Sequence, residues 1–156
     1  MKKLEILFGI LKIPVDFFAA LLGFIVAYKL RLYPDLIPGF SFPFNPEELV
    51  SFDAYMQFGA IAALALLAIF IVSGMYTLRT TVRLNKELGK VFVLTLAWLT
   101  IIIFYFFVVR EFPYSRLALA YSWFLTFLFV SVGRLVLRII QKDLLKKGHG
   151  QRRTLI

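Results

Sequence analysis

The residue types that carry most protein chemistry are sparse in this sequence: nine carboxylates, one histidine and no cysteine in 156 residues. Without Cys there is no disulfide, no thiol nucleophile and no thiolate metal ligand. His149 stands between Gly148 and Gly150 with no acidic, serine or cysteine companion to make it a base, so it reads as a linker residue. Glu5, Asp16, Glu87 and Asp143 are dispersed among basic residues. Glu47, Glu48 and Asp53 lie close enough in sequence to hold a cation, but nothing in their spacing identifies one. No catalytic, cofactor-binding or metal-ligating residue is assigned. The elements around these few groups are the more informative part.

Hydrophobic residues make up 61% of the chain and charged residues 17%, an apolar excess over what a water-soluble domain of this length uses. The apolar residues fall into blocks long enough to cross a bilayer, separated by short charged clusters. Four spans are expected, at approximately 13–32, 54–78, 91–109 and 117–133. The first works only if Asp16 and Lys29 sit near its ends and snorkel, and Asp16 one turn beyond Lys12 suggests an i,i+4 pair between them. From Arg134 the helical period continues, with Arg134, Arg138, Lys142 and Lys146 on one side and Leu135, Ile139, Leu144 and Leu145 roughly on another. That pattern predicts an amphipathic helix over 134–147, lying partly along the membrane surface and stopped by Gly148 and Gly150. The fold class expected is an all-α, four-transmembrane-helix bundle with an amphipathic cytoplasmic helix at its C-terminal end.

Orientation follows from the basic residues. Fourteen Lys and Arg fall on the side of the two termini and four, Lys29, Arg31, Arg110 and Arg116, on the other. With the acids included, the two sides carry +10 and −1, which places both termini in the cytoplasm. The basic excess is thus matched to anionic lipid and not to nucleic acid. MKK before an apolar run is reminiscent of a signal peptide, but Lys12, Pro14 and Asp16 interrupt it and no cleavage site follows, so the segment is expected to be retained.

The one long loop carries Pro34, Pro38, Pro43 and Pro46, which deny it a regular helix over most of its length. Phe40, Phe42 and Phe44 could lay one edge into the headgroups, and Asn45-Pro46-Glu47-Glu48 has the form of a helix start. Tyr33, Tyr55, Tyr76 and Tyr114 sit within a few residues of span ends, where headgroup depth suits an amphipathic ring. Trp98 and Trp123 lie deeper and should face neighbouring helices. Gly59, Ala62 and Ala63, with Gly74 further along, offer a small-residue face for close packing. Thr95, Thr100, Ser122 and Thr126 are too few for the polar path of a transporter or channel. Arg31, Arg110 and Arg116 on one side, and Arg134 and Arg138 on the other, allow a second reading as a small lipid-phosphate-binding membrane protein. The last residues, QRRTLI, look like the opening of a strand, so 148–156 is expected to be a linker into a following cytoplasmic domain.

The order of these features resembles the N-terminal membrane domain of the large bacterial polyprenyl-phosphate sugar-1-phosphate transferases. The resemblance is carried by Asp16 near the start of the first helix, AYKLR at its exit (Ala27 to Arg31), SGMYTLR (Ser73 to Arg79), ELGKVF (Glu87 to Phe92), the segment from Ser115 and Arg116 through Trp123 to Gly133, Arg134 and Arg138, and the closing KKGHGQRRTLI. It covers nearly the whole chain. Membrane-anchored nucleotide-sugar dehydratases share a related four-helix front end and are the alternative. The transferase resemblance implies a Rossmann-like domain after the linker, and then a catalytic domain with an Asp-Glu pair and Mg²⁺. That domain would move a hexose 1-phosphate from a UDP-sugar to undecaprenyl phosphate in polysaccharide biosynthesis. None of that machinery lies in these 156 residues, which would serve as a non-catalytic anchor in the bacterial inner membrane. The partners implied are the bilayer, including anionic lipid, possible polyprenyl phosphate and a second copy of the chain.

Overall fold

The computed structural model describes residues 2–33, 50–76, 84–110 and 116–146. These form four helices: α1 (Lys2–Leu32), α2 (Phe52–Val72), α3 (Leu84–Val109) and α4 (Arg116–Lys146). All four are long and apolar enough to cross a membrane. At about 1.5 Å per residue α2 is about 32 Å long, close to the hydrocarbon thickness, whereas α1 and α4, at 31 residues each, reach about 46 Å.

The observed elements extend the expected spans at three points. α1 starts eleven residues before the predicted boundary and runs through Pro14, whose missing N–H leaves the Ile10 carbonyl without its usual helical donor. α3 begins at Leu84 instead of 91. α4 passes residue 133 without a break, so no separate amphipathic C-terminal helix is distinguished from the fourth span. The physical reason lies at Gly133 and Arg134. Gly133 packs so tightly on α1 that an added Cβ would come within 2.9 Å of Val15 Cγ1. Arg134 turns into the protein and not onto a surface, so nothing detaches the two parts of the helix.

Neighbouring helices run antiparallel. Gly23 meets Thr126 and Val15 meets Gly133 between α1 and α4, while Phe24 meets Gly59 between α1 and α2. Trp98 meets Ala62 between α2 and α3, and Phe92 meets Trp123 and Phe127 between α3 and α4. The α1–α4 contact is the most extensive. It depends on absent side chains, because a Cβ on Gly23 would lie 2.7 Å from Thr126 Oγ1 and 2.8 Å from the Thr126 backbone nitrogen.

The small-residue face expected on α2 is used as predicted at Gly59, Ala62 and Ala63, all buried. Gly59 leaves space for the Phe24 ring, which an added Cβ would approach to 3.0 Å. Ala62 lets the Trp98 indole N–H reach its carbonyl oxygen at 2.8 Å. Trp98 also meets Phe24 edge to face, with ring centroids 6.1 Å apart. Such dispersion and hydrogen-bond contacts hold helices together in lipid, where apolar surface gains little from leaving an equally apolar solvent. Most other large apolar side chains, including Phe104, Phe107 and Val72, point outward to where lipid would be.

Candidate functional site

Polar chemistry converges where α2 ends. Gly74 has φ 66°, the left-handed conformation that glycine adopts without a Cβ clash. The Met75 N–H donates to Phe70 O and the Gly74 N–H to Ile71 O, which is a Schellman closure of the helix. Lys90 Nζ donates to the Ser73 carbonyl at the same end. Gly74 is therefore a turn residue and not a continuation of the small-residue face. The reversal of the chain here brings Tyr76 back over the bundle end, where its hydroxyl donates to Asp16 Oδ2 at 2.8 Å. Tyr76 thus lies just past the end of α2, near a span end as expected, with its hydroxyl taken by a carboxylate of the protein.

Arg134 of α4 reaches the same carboxylate across the tight α1–α4 interface. Its Nη2 lies 2.6 Å from Asp16 Oδ2 and its Nε 3.2 Å from Oδ1, a two-pronged pairing. The pair is wholly enclosed, with side-chain exposures of 1% for Arg134 and 0% for Asp16. Phe70 and Tyr76 present their rings to the guanidinium, with centroids 5.0 and 5.6 Å from its carbon. These rings offset part of its lost hydration.

Glu87, in the first turn of α3, extends the cluster. Its Oε1 accepts from Lys12 Nζ at 2.9 Å and from Arg134 Nη1 at 3.3 Å, and Arg138 Nη1 lies 3.7 Å from Oε2. The expected Lys12–Asp16 pair is thus corrected: each residue pairs across helices, Asp16 with α4 and Lys12 with α3. A planar guanidinium can serve both carboxylate oxygens at once, which a single ammonium cannot match. Two carboxylates and three cations are held together by α1, α3, α4 and the turn after α2.

The cluster also marks a depth. From Asp16 to Leu32, Glu87 to Val109 and Arg134 back to Arg116, the helices measure about 24, 33 and 27 Å, close to one hydrocarbon thickness. Runs of that length would put the charges near one boundary of an apolar layer, with α1 and α4 extending beyond it.

Other residues read from the sequence fall elsewhere. Tyr55, in the first turn of α2, is buried at 2% exposure against the rings of Phe24 and Tyr28. Thr95, Thr100 and Ser122 donate to carbonyls of their own helices, and Thr126 packs on Gly23. Trp123 is partly buried beside Phe92, facing a neighbouring helix as expected. Arg31 is buried at the opposite end of the bundle, where Arg116 is exposed and Arg110 closes α3 with φ 58°. Asp53 is exposed in the first turn of α2. The proline-rich loop with Phe40, Phe42, Phe44, Asn45, Glu47 and Glu48, together with Tyr114, His149 and the terminal QRRTLI, lies outside the described residues.

Among the described residues no group of three or more His, Cys, Asp or Glu is placed to hold a metal. Both Asp16 oxygens and Glu87 Oε1 are occupied by partners within the protein. What the arrangement does chemically is join helices. Comparison with known proteins returns no match, whether with protein-family models, curated proteins or solved structures. The chain is, on its own geometry, an all-α, multi-pass membrane domain of four apolar helices.

Proposed function

We propose that this domain is a non-catalytic membrane anchor and scaffold. It would hold cytoplasmic machinery at the inner membrane of a bacterium as the front end of a polyprenyl-phosphate sugar-1-phosphate transferase. The observation that carries the scaffold reading is the ion cluster. Its charges are spent on one another across three helices, so both Asp16 oxygens and Glu87 Oε1 are already engaged within the protein. The transferase assignment rests on the order of sequence features described above. In this reading the helix ends on the side of the cluster face the cytoplasm, because most basic residues lie there.

The absence of native cysteine makes the orientation directly testable by single-cysteine labelling in inverted and right-side-out vesicles. Lys142→Cys should react with an impermeant maleimide only from the cytoplasmic face, and Arg116→Cys only from the other. The reverse pattern would refute the orientation. The transferase assignment predicts that the reading frame continued past Ile156 encodes a Rossmann-like domain and then a domain with an Asp-Glu pair. A dinucleotide-binding dehydratase fold there would move the assignment to nucleotide-sugar dehydratases.

A further inference from the structure

At the end of the bundle opposite the ion cluster, α3 and α4 separate around a groove of about 340 Å³. Leu99, Ile103 and Phe107 form one wall, spaced four residues apart along a single face of α3. Leu119 and Ala120 of α4 form the other, and Arg116 stands at the mouth. Leu119 forms a floor at 4% exposure, whereas Ile103 and Phe107 are 46% and 78% exposed and leave the groove open sideways. From Leu99 to Phe107 the wall runs about 12 Å along the helix axis.

Arg116 is the first residue of α4, about one hydrocarbon thickness along the helix from Arg134 and so near the other boundary of an apolar layer. The antiparallel α1–α4 register places Arg31 at the level of the first turn of α4, so a second cation shares this depth. The groove therefore begins at headgroup level with a guanidinium and descends between apolar walls into the layer. This is the polarity sequence of a phospholipid, a phosphate followed by an alkyl chain.

We propose that the α3–α4 groove is a binding site for an anionic phospholipid of the surrounding bilayer, with its phosphate on Arg116 and one acyl chain along Leu99, Ile103 and Phe107. Arg116 is exposed, and its guanidinium carries five N–H donors in a planar fork that suits phosphate oxygens. The acyl chain gains little hydrophobic free energy by moving from bilayer to groove, because both are apolar. Occupancy is then decided by the headgroup, and the site discriminates by charge and not by tail. The proposal depends on the membrane placement alone, so it stands or falls separately from the transferase assignment.

The test is native mass spectrometry of the purified chain in detergent, titrated with phosphatidylglycerol or phosphatidylcholine. The wild-type chain should retain a phosphatidylglycerol adduct in preference to phosphatidylcholine. Arg116→Gln should weaken that adduct about five- to tenfold, the scale of one charge-assisted phosphate contact partly exposed to solvent. Ala120→Phe, which fills the groove, should weaken it comparably without removing a charge. Lys29→Gln removes an exposed cation near the same end of α1 and should leave the adduct unchanged. Equal adducts in wild type, Arg116→Gln and Ala120→Phe would overturn the proposal. So would a dimer that lipid titration does not displace and that Ala120→Phe breaks, since the occupant would then be a second copy of this chain.

Discussion

Separating Asp16 from Arg134 should cost more than deleting both. The pair is enclosed, and in such a setting the loss of one partner strands a charge that the remaining structure cannot hydrate. That typically costs about 3–5 kcal/mol. Asp16→Leu leaves the guanidinium with Glu87 at 3.3 Å and two ring faces, and Arg134→Met leaves the carboxylate with the Tyr76 hydroxyl at 2.8 Å. The double variant Asp16→Leu/Arg134→Met removes both charges and leaves one orphaned group, the Tyr76 hydroxyl, at a cost of about 1–3 kcal/mol. The two single losses therefore should not add. A coupling of at least about 3 kcal/mol is expected, well beyond the roughly 0.5 kcal/mol scatter of independent sites. The measurement is reversible unfolding in mixed micelles of increasing SDS fraction, followed by tryptophan emission. Trp98 is a suitable reporter because its indole is buried on Phe24 and bonded to Ala62. If the double variant were destabilised by the sum of the singles, the two residues would not act as a pair and the joint at the bundle end would have to be explained otherwise.

Glycine substitutions separate contact from propensity with the same assay. Gly23→Ala drives a Cβ into the Thr126 backbone and should destabilise by about 1–3 kcal/mol, whereas Gly89→Ala meets nothing within 4 Å and should be neutral or stabilising by up to about 1 kcal/mol. Gly74→Ala forces a side chain into the left-handed region at the turn after α2 and should cost about 1–2 kcal/mol. A Gly74→Ala variant as stable as wild type would mean that the turn does not set the position of Tyr76.

The spans were legible because lipid imposes long apolar runs, and the contacts of Trp98, Gly59, Ala62 and Ala63 followed from residue size. The ion cluster was not legible as a cluster, because Asp16, Glu87 and Arg134 are far apart in sequence and each has a nearer charged neighbour. Local spacing favoured Lys12 for Asp16, since i,i+4 contacts need only one helix. The decisive quantity was the level at which α1 and α4 meet, which is set by Gly23 against Thr126 and Gly133 against Val15. Counting inward from the far ends of both helices would have found it, because Leu32 to Asp16 and Arg116 to Arg134 are nearly equal runs. The segment 134–147 is not distinguished as a separate helix for a related reason: a basic stripe does not reveal that Arg134, one of its members, has an acidic partner on another helix. The partner of Tyr76 was hidden by the turn, since the left-handed Gly74 reverses the chain and brings the hydroxyl over Asp16.

The joint between the first and last helices also sets an order of assembly. Asp16 and Arg134 are separated by 118 positions, and at roughly 5–20 residues per second the ribosome needs about 6–24 s to supply the second after the first. During that interval α1 is in or near the membrane with its carboxylate lacking a permanent partner, and a charge in a spanning helix is disfavoured by several kcal/mol at the centre of the layer. Placement at the boundary makes the wait tolerable, because water and headgroups can serve Asp16 until α4 arrives. Insertion of the final helix then closes the bundle by exchanging those temporary contacts for Arg134. A nascent chain that stops short of α4 would keep Asp16 as an uncompensated charge at the membrane edge.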